Sequence, residues 1–383
     1  MLTSLPTPSG SITAAEFFAG IGLVRMGLES AQVDVVFAND IEADKYQMYA
    51  KQFGEAAASH FALKDIGKVK SEHMPKVDLA WASFPCTDLS LAGNRKGLKG
   101  VQSGTFWEFT RILDEMGEDD RPGVVALENV VGLATSHNGD DLVAAIRELN
   151  RLGYSVDVLT LDARRFVPQS RPRLFLVGAK TPPDDVVDPN SELRPDWLQI
   201  PYGDPALKMH RAALPAPPAP LTSGLGDYVE RTGVEWWDDE RTERFISSMS
   251  EFQAERLTAL KRQKSTTYRT AYRRTRNGVA VWEVRPDDIS GCLRTARGGS
   301  SKQAVVRAGH GKVSVRWMTP REYARLMGAG EYDIDGIRAN QVLFGFGDAV
   351  CVPVVGWLAE NYLVPLVRGD LAAKSDARDL KAV

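Results

Sequence analysis

The sequence predicts an α/β fold with a mostly parallel sheet, joined to a smaller, irregular second domain. Three observations predict it. Short apolar runs alternate with amphipathic segments through the first half of the chain. Those segments are long enough to serve as the crossover helices that parallel pairing requires. After Gly178 the texture changes, and Pro, Gly and Asp crowd into "AKTPPDDVVDPNSELRPDWLQIPYGDP" and "ALPAPPAPLTSGLG", which read as irregular connection.

The strands expected in order are "SITAAEFF", "VDVVFAN", "VDLAWASF", "VVALEN", "SVDVLTL" and "RLFLVG". The helices expected between them are "LVRMGLESA", "ADKYQMYAKQF", "FWEFTRILDEM" and "DDLVAAIRELNRLG". In the last, Leu142, Ala145, Ile146 and Leu149 fall on one face, and Gly153 supplies a C-terminal cap. Further on, "RLTALKRQKSTTYRTAYRRTRNG" interleaves Lys261, Arg262, Lys264, Arg269, Arg273, Arg274 and Arg276 with Tyr268 and Tyr272, and contains no acidic residue. A helical pattern resumes at "TPREYARLMG". The apolar run "AVCVPVVGWLAENYLVPLV" contains Pro353, Glu360 and Asn361, so it is expected to be a buried helix rather than a membrane span.

The bulk composition excludes some classes. A net charge of −3 does not announce a nucleic-acid partner, so any such partner must be held by a local basic patch. Cys86, Cys292 and Cys351 lie far apart and the five histidines show no ligand spacing, which argues against a disulfide framework and a structural metal. A reducing compartment is expected. The start, "MLTSLPTPSG", lacks the basic and apolar regions of a secretory signal.

In an open parallel sheet, ligands bind outside the carboxyl ends of the strands. The first expected strand ends in "FFAGIGLV", where Gly20 and Gly22 allow a tight turn before a helix. A plain βα turn reads the same way. The second ends in "AND", and Asp40 lies at the spacing from Gly20 that suits ribose hydroxyls. Together the two features favour an adenosine-containing ligand. The next strand ends at Cys86, in "WASFPCTDLS", and the one after at Glu128, in "ALENV". A carboxylate ending a buried strand needs partners or a task. Arg171 and Arg173, two apart before the last strand, are expected to face one way and hold an anion or a carboxylate; an ordinary surface pair is the alternative.

These fragments, in this order, resemble the cytosine-5 DNA methyltransferases that use S-adenosylmethionine. "FFAGIG" is similar to the family's cofactor turn (Phe18, Ala19, Gly20, Ile21, Gly22), and "NDI" to its acidic ribose position (Asp40, Ile41). Asp65 and Ile66 resemble the adenine-contacting pair, "FPC" (Phe84, Pro85, Cys86) the nucleophile motif, "ENV" the base-recognition motif and "QSRPR" the Gln-x-Arg-x-Arg motif. "REYARLMG" resembles the helix supporting the recognition domain, and "GDAV" (Asp348, Ala349, Val350) the closing cofactor motif. The chain departs from the family at Thr87, where Gln is usual, at Asp348, where Asn is usual, and in "CLRTARGGS", where Thr-Leu is common.

The resemblance implies a Rossmann-like methyltransferase fold divided as residues 1–180 for catalysis and cofactor, 181–337 for target recognition with a hinge, 338–370 for a helix returning to the catalytic domain, and 371–383 for a tail. It implies that the Cys86 thiolate adds to carbon 6 of a flipped-out cytosine and makes carbon 5 nucleophilic. Glu128 would bind the ring nitrogen and exocyclic amine, Arg173 the pyrimidine carbonyl, and Arg171 would orient Glu128. The glycine-rich "SLAGNRKGLKGVQSG" looks like a loop closing over DNA, with Ser90, Arg95, Lys96 and Lys99 on the nucleic acid. Arg269, Arg273, Arg274, Arg276 and Arg297 would bind DNA from the recognition domain. S-adenosylmethionine, double-stranded DNA, no metal, no membrane and a cytoplasmic, nucleoid-associated monomer are expected, with a cognate restriction or defence system as a further partner. Three other readings compete with this one. A tRNA-directed enzyme of this fold usually carries a Cys-Phe-Thr signature that is absent here. A nicotinamide-dependent dehydrogenase leaves Cys86, Glu128 and the arginines without a connected role. A non-catalytic DNA-binding relative has no use for Cys86 and Glu128.

Overall fold

The computed structural model describes residues 10–85, 104–186, 192–276, 278–295 and 302–371, with backbone only for 55–58. The chain forms two compact units: Met1–Leu161 with Pro172–Pro217 and Val354–Val383, and Asp162–Arg171 with Pro218–Pro353.

The first unit is built on a seven-stranded sheet: β1 Ile12–Phe17, β2 Val33–Asp40, β3 Phe61–Leu63, β4 Leu79–Ala82, β5 Val124–Val130, β6 Ser155–Asp162 and β7 Pro172–Ala179. Its order is β3-β2-β1-β4-β5-β7-β6. β3, β2, β1, β4 and β5 pair in parallel, whereas β7 runs antiparallel to β5. β1 and β4 are neighbours, so the strand order reverses between them, and the crevice outside their carboxyl ends is where such sheets place ligands. Because β7 is reversed, its beginning lies at that same edge, with Arg173 opposite Val130.

The strands of this unit are nearly all buried, as a sheet covered on both faces requires. The helix Thr105–Glu115 buries Phe106, Phe109, Ile112 and Leu113 at helical spacing. Phe109 meets Phe17 edge-on at 5.1 Å between ring centres, and Phe106 meets Phe84 at 5.5 Å. Each fully buried ring of this kind contributes about 1.5–3 kcal/mol through removal from water. The helix Asp140–Arg151 buries Leu142, Ala145, Ile146 and Leu149, and Gly153 follows with φ +93°.

The compact units divide elsewhere than the change of texture near residue 180 suggested. Despite its proline content, Pro172–Pro217 stays with the first unit. Leu193, Leu198 and Ala212 are buried, and Arg194, itself buried, pairs with Asp157 of β6 at 2.5 Å. A few anchors thus decide where an irregular segment belongs. At the other end, the helix Ala339–Asp348 lies within the second unit, and the first unit resumes at Val354. The apolar run from Val352 to Arg368 is helical with a π-turn at Ala359–Leu363, and it buries Val355, Leu358, Tyr362 and Leu363.

The second unit is not irregular throughout. β8 Thr267–Arg276, β9 Val279–Val284, β10 Ala304–Gly309 and β11 Lys312–Trp317 form an antiparallel sheet in the order β11-β10-β8-β9. The helices Asp239–Ser247 and Glu251–Lys261 add Phe245, Leu257 and Leu260 to a core with Ala271, Trp282, Val306 and Val315. The basic run was therefore half strand. Its Thr, Tyr and Arg alternate in a way that suits a pleated surface.

Candidate active site

The turn after β1 is shaped by positive backbone angles at Phe18 (57°), Gly20 (57°) and Gly22 (81°). A bulky residue such as Phe18 adopts that conformation at a cost of order 1–3 kcal/mol and is usually held there for a purpose. Gly22 is also fixed by space, because a Cβ there would come 2.3 Å from the Phe53 ring. At Gly20 a Cβ would make only ordinary contacts, the nearest with a Lys45 methylene at 3.9 Å, so it is the positive φ that favours glycine there. Asp40 closes the turn: its Oδ2 accepts from the Gly20 N–H at 2.8 Å and its Oδ1 from the Glu42 N–H at 2.9 Å. Each carboxylate oxygen retains a further lone pair for a ligand hydroxyl. Beside it Ile41 is 61 % exposed, an apolar surface in want of a cover. Ala19 and Ile21 are buried, so the turn offers backbone there. Asp65 caps a short 3₁₀ turn by accepting from the Gly67 N–H at 2.8 Å, and Ile66 is buried beneath it. An open glycine turn, an anchored carboxylate and an exposed aliphatic side chain suit an adenosine with a cationic tail.

β4 stops at Ala82, and Ser83, Phe84 and Pro85 lead out of it. Phe84 is buried and its carbonyl accepts from Asn129 Nδ2 at 3.1 Å. Asn129, which the sequence reading passed over, thus ties the end of β5 to the backbone two residues before Cys86. A buried amide at a strand end was the available signal. Glu128, 7 % exposed, pairs with Arg173 Nε at 2.8 Å. β5 and β7 are adjacent and antiparallel, which brings the two together.

Arg171 takes a different path. Its Nη1 donates to the Leu293 carbonyl at 2.6 Å and its Nη2 to the Ala349 and Gly347 carbonyls at 2.6 and 3.2 Å. The described contact to Glu128 is made by Arg173, while Arg171 joins "CLRT" to "GDAV" within the second unit. The two arginines part because Arg171 precedes β7 and is bound to the end of β6: its N–H donates to Asp162 Oδ1 at 2.6 Å. Gln169 works alongside, donating to the Leu326 carbonyl at 2.7 Å and accepting from the Leu293 N–H at 3.0 Å. Gly347 admits this packing, since a Cβ would lie 2.6 Å from the Arg294 carbonyl. Asp348 is hydrogen-bonded to the Thr295 hydroxyl, Ala349 is half-buried and Val350 is buried.

Cys86, Ser90, Arg95, Lys96, Lys99 and Arg297 lie outside the described residues, as does Thr87. Of the expected DNA-binding arginines, Arg274 and Arg276 meet Glu283 of β9 at 3.2 and 2.8 Å. Arg269 lies 3.6 Å from Asp288 and is half-buried, and burial pulls its guanidinium below its ordinary range. Arg273 is half-buried in β8.

A sheet in this order, parallel from β3 through β5 with β7 antiparallel to β5, with a glycine turn after β1 and an anchored acid after β2, defines the Rossmann-like methyltransferase class. The chain belongs to the C-5 cytosine-specific DNA methylase family, whose model matches residues 12–363. Over 350 residues it is 27 % identical to the Type II methyltransferase M.DsaV of Dactylococcopsis salina, covering 91 % of this chain and 85 % of that one. Over 170 residues it is 35 % identical to the Type II methyltransferase M.BsuFI of Bacillus subtilis, covering 44 % of this chain and 39 % of that one. The matches to M.BsuFI, M.BanI and M.HhaI span less than half the length of each of those relatives. The fold is also that of S. pombe Dnmt2 methyltransferase, with a TM-score of 0.55 at 19 % identity over 93 % of this chain and 99 % of that one. Entamoeba histolytica EhMeth is similar at a TM-score of 0.57 and 15 % identity over 95 % and 99 %.

Proposed function

We propose that the chain methylates carbon 5 of a flipped-out cytosine in a specific duplex DNA sequence, with S-adenosylmethionine as methyl donor. The observation that carries this reading is the junction of β4 and β5: the backbone before Cys86 is tied to Asn129, and the neighbouring Glu128 is held by Arg173. Phe84 and Pro85 follow β4, and Glu128 lies toward the end of the adjacent parallel strand β5; in this reading Cys86 is the nucleophile and Glu128 the base-recognition carboxylate.

Gly20, Gly22, Asp40, Ile41, Asp65 and Ile66 would hold the cofactor. When bound, it supplies an electrophilic methyl on a sulfonium sulfur. Cys86 adds as thiolate to carbon 6, forming the carbon–sulfur bond and pushing the ring electrons toward carbon 5. Glu128 stabilises that charge by a hydrogen bond at the ring nitrogen, and it accepts from the exocyclic amine that thymine lacks. Arg173 keeps Glu128 in place and is the residue that would meet the pyrimidine carbonyl. Once carbon 5 carries the methyl, loss of its proton and expulsion of the Cys86 thiolate restore the ring.

The first unit is the catalytic domain in this reading and the second recognises the target. The partner is double-stranded DNA, the setting cytoplasmic and nucleoid-associated, the working form a monomer. The type II names of the relatives support a cognate restriction system. The test is methyl transfer to duplex DNA and to tRNA side by side, with bisulfite sequencing of DNA from expressing cells. Cys86→Ser is expected to abolish transfer to duplex DNA while the melting temperature and S-adenosylhomocysteine binding stay nearly unchanged. Substantial turnover by that variant sinks the nucleophile assignment, and transfer to tRNA alone sinks the substrate.

A further inference from the structure

The antiparallel sheet of the second unit carries a basic hollow apart from the arginine run. Tyr268, Arg307 and Ser314 stand opposite one another on β8, β10 and β11, in one row across the sheet. Two residues further along β10, on the same face, Gly309 stands opposite Lys312. Thr266 and Arg231 complete the rim of a hollow of about 460 Å³. Among the described residues lining it none is acidic. Guanidinium and ammonium groups only donate, and the hydroxyls can, so the set selects an anion.

The frame is rigid. Arg307 donates to Ser314 Oγ at 3.2 Å, and its guanidinium lies 4.4 Å from the centre of the Trp236 ring. The β10–β11 turn is His310–Gly311, with φ +52° and +76°, as a two-residue hairpin turn demands. Histidine is uncommon in that conformation. Both N–H groups of the turn donate, at 2.8 Å, to the Gln263 and Lys261 carbonyls at the end of the helix Glu251–Lys261. Gly309, at φ +139°, passes so close to Ser265 that a Cβ would sit 2.3 Å from its carbonyl oxygen. Arg274 and Arg276 instead face the Glu283 carboxylate.

We propose that this hollow seats a backbone phosphate of the DNA duplex, and so fixes the register in which the second unit meets its target. The inference rests on the duplex-DNA reading above. A contact of this kind positions the protein without reading sequence. The full chain, with Lys312→Gln and Arg307→Gln variants, is titrated by fluorescence anisotropy against cognate and unrelated duplexes between 50 and 200 mM salt. Losing one phosphate contact removes roughly 0.9 from the log–log salt slope, so each variant's deficit is about 3-fold larger at 50 mM than at 200 mM. Lys312 is exposed, so its replacement leaves the melting temperature unchanged while the slope falls. Slopes unchanged from the wild-type value in both variants overturn the proposal. A deficit confined to the cognate duplex assigns the hollow to base edges instead, and a deficit on a structured RNA but not on DNA assigns it to RNA; either also overturns it. Wild-type protein that neither binds nor methylates duplex DNA refutes the proposed function itself, whereas normal wild-type methylation with unaltered variants refutes this inference alone.

Discussion

The first unit contains two carboxylate–arginine pairs that differ in how completely they are enclosed. Asp157 and Arg194 are fully buried. Asp157 accepts from Arg194 Nε and Nη2 at 2.8 and 2.5 Å, from the Tyr202 and Tyr362 hydroxyls at 2.6 and 2.8 Å, and from the Ala212 N–H at 3.2 Å. Burial pushes this carboxyl up, but the hydrogen bonds and charge of Arg194 outweigh it, and the net direction is below the usual carboxylate range. The network draws β6, the proline-rich segment and the C-terminal helical run together. Glu128 and Arg173 are joined at 2.8 Å at the sheet edge and keep 9 % and 13 % of their side chains exposed. The first pair has its lone pairs committed and acts as a fastening. The second keeps part of both side chains within reach of a ligand.

That difference is open to breaking by mutation. Asp157→Ala leaves Arg194 buried without its counter-charge, a loss of about 3–5 kcal/mol. It is expected to lower the melting temperature by roughly 10 °C or more. Glu128→Gln keeps the shape and an acceptor for Arg173, so its stability cost is expected to be about 1–3 kcal/mol, smaller than that of Asp157→Ala. Methyl transfer should nonetheless fall by about 10²–10⁴, the usual value of a positioned acid–base group. Thermal melts and single-turnover transfer on both variants check this. If Glu128→Gln unfolds the protein as Asp157→Ala does, the distinction between fastening and working pair is wrong.

The two pairs also differ in how far the sequence announces them. Glu128 ends a continuous apolar run, and β1, β2 and β4 to β7 were all legible because strands buried on both faces read as uninterrupted apolar stretches. Asp157 lies inside such a run, and nothing local to "SVDVLTL" names Arg194, Tyr202 or Tyr362 as its partners. The second unit was harder still. β8 carries exposed arginines on a sheet with one wet face, so its charge hid its strand character, although the Asn277-Gly278 pair after it is a strong hairpin signal. The alternation rule misled at Arg171 and Arg173, because it assumed one extended segment where the chain is still folded onto Asp162. Asn129 was within reach, as part of a matched motif, but its contact with the Phe84 carbonyl comes from β4 lying beside β5, which only the fold supplies.

A third carboxylate sharpens the comparison at its far end. Glu16 sits next to the last residue of β1, fully buried, and neither oxygen has a hydrogen-bond partner of ordinary geometry among the described residues. Burial drives its pKa well above the usual value. The charge and backbone N–H of Arg25 oppose that rise, whereas Asp40 and Glu29 add to it. A carboxyl with a raised folded-state pKa contributes stability that is fully present below its unfolded value and is lost as pH rises through the folded one. Glu16→Gln stays neutral throughout and escapes that loss. The variant's melting temperature is therefore expected to match or exceed the wild-type value at pH 6 and to gain on it as pH rises toward 9. His60, pushed down to about 4 by burial and by Arg25, stays neutral across that range, and burial holds the Tyr49 phenol above it. Melts of both proteins at half-unit pH steps decide the matter. Parallel curves would mean that Glu16 ionises without penalty, through a partner supplied from outside the described residues, and the graded series from Asp157 through Glu128 to Glu16 would lose its last member.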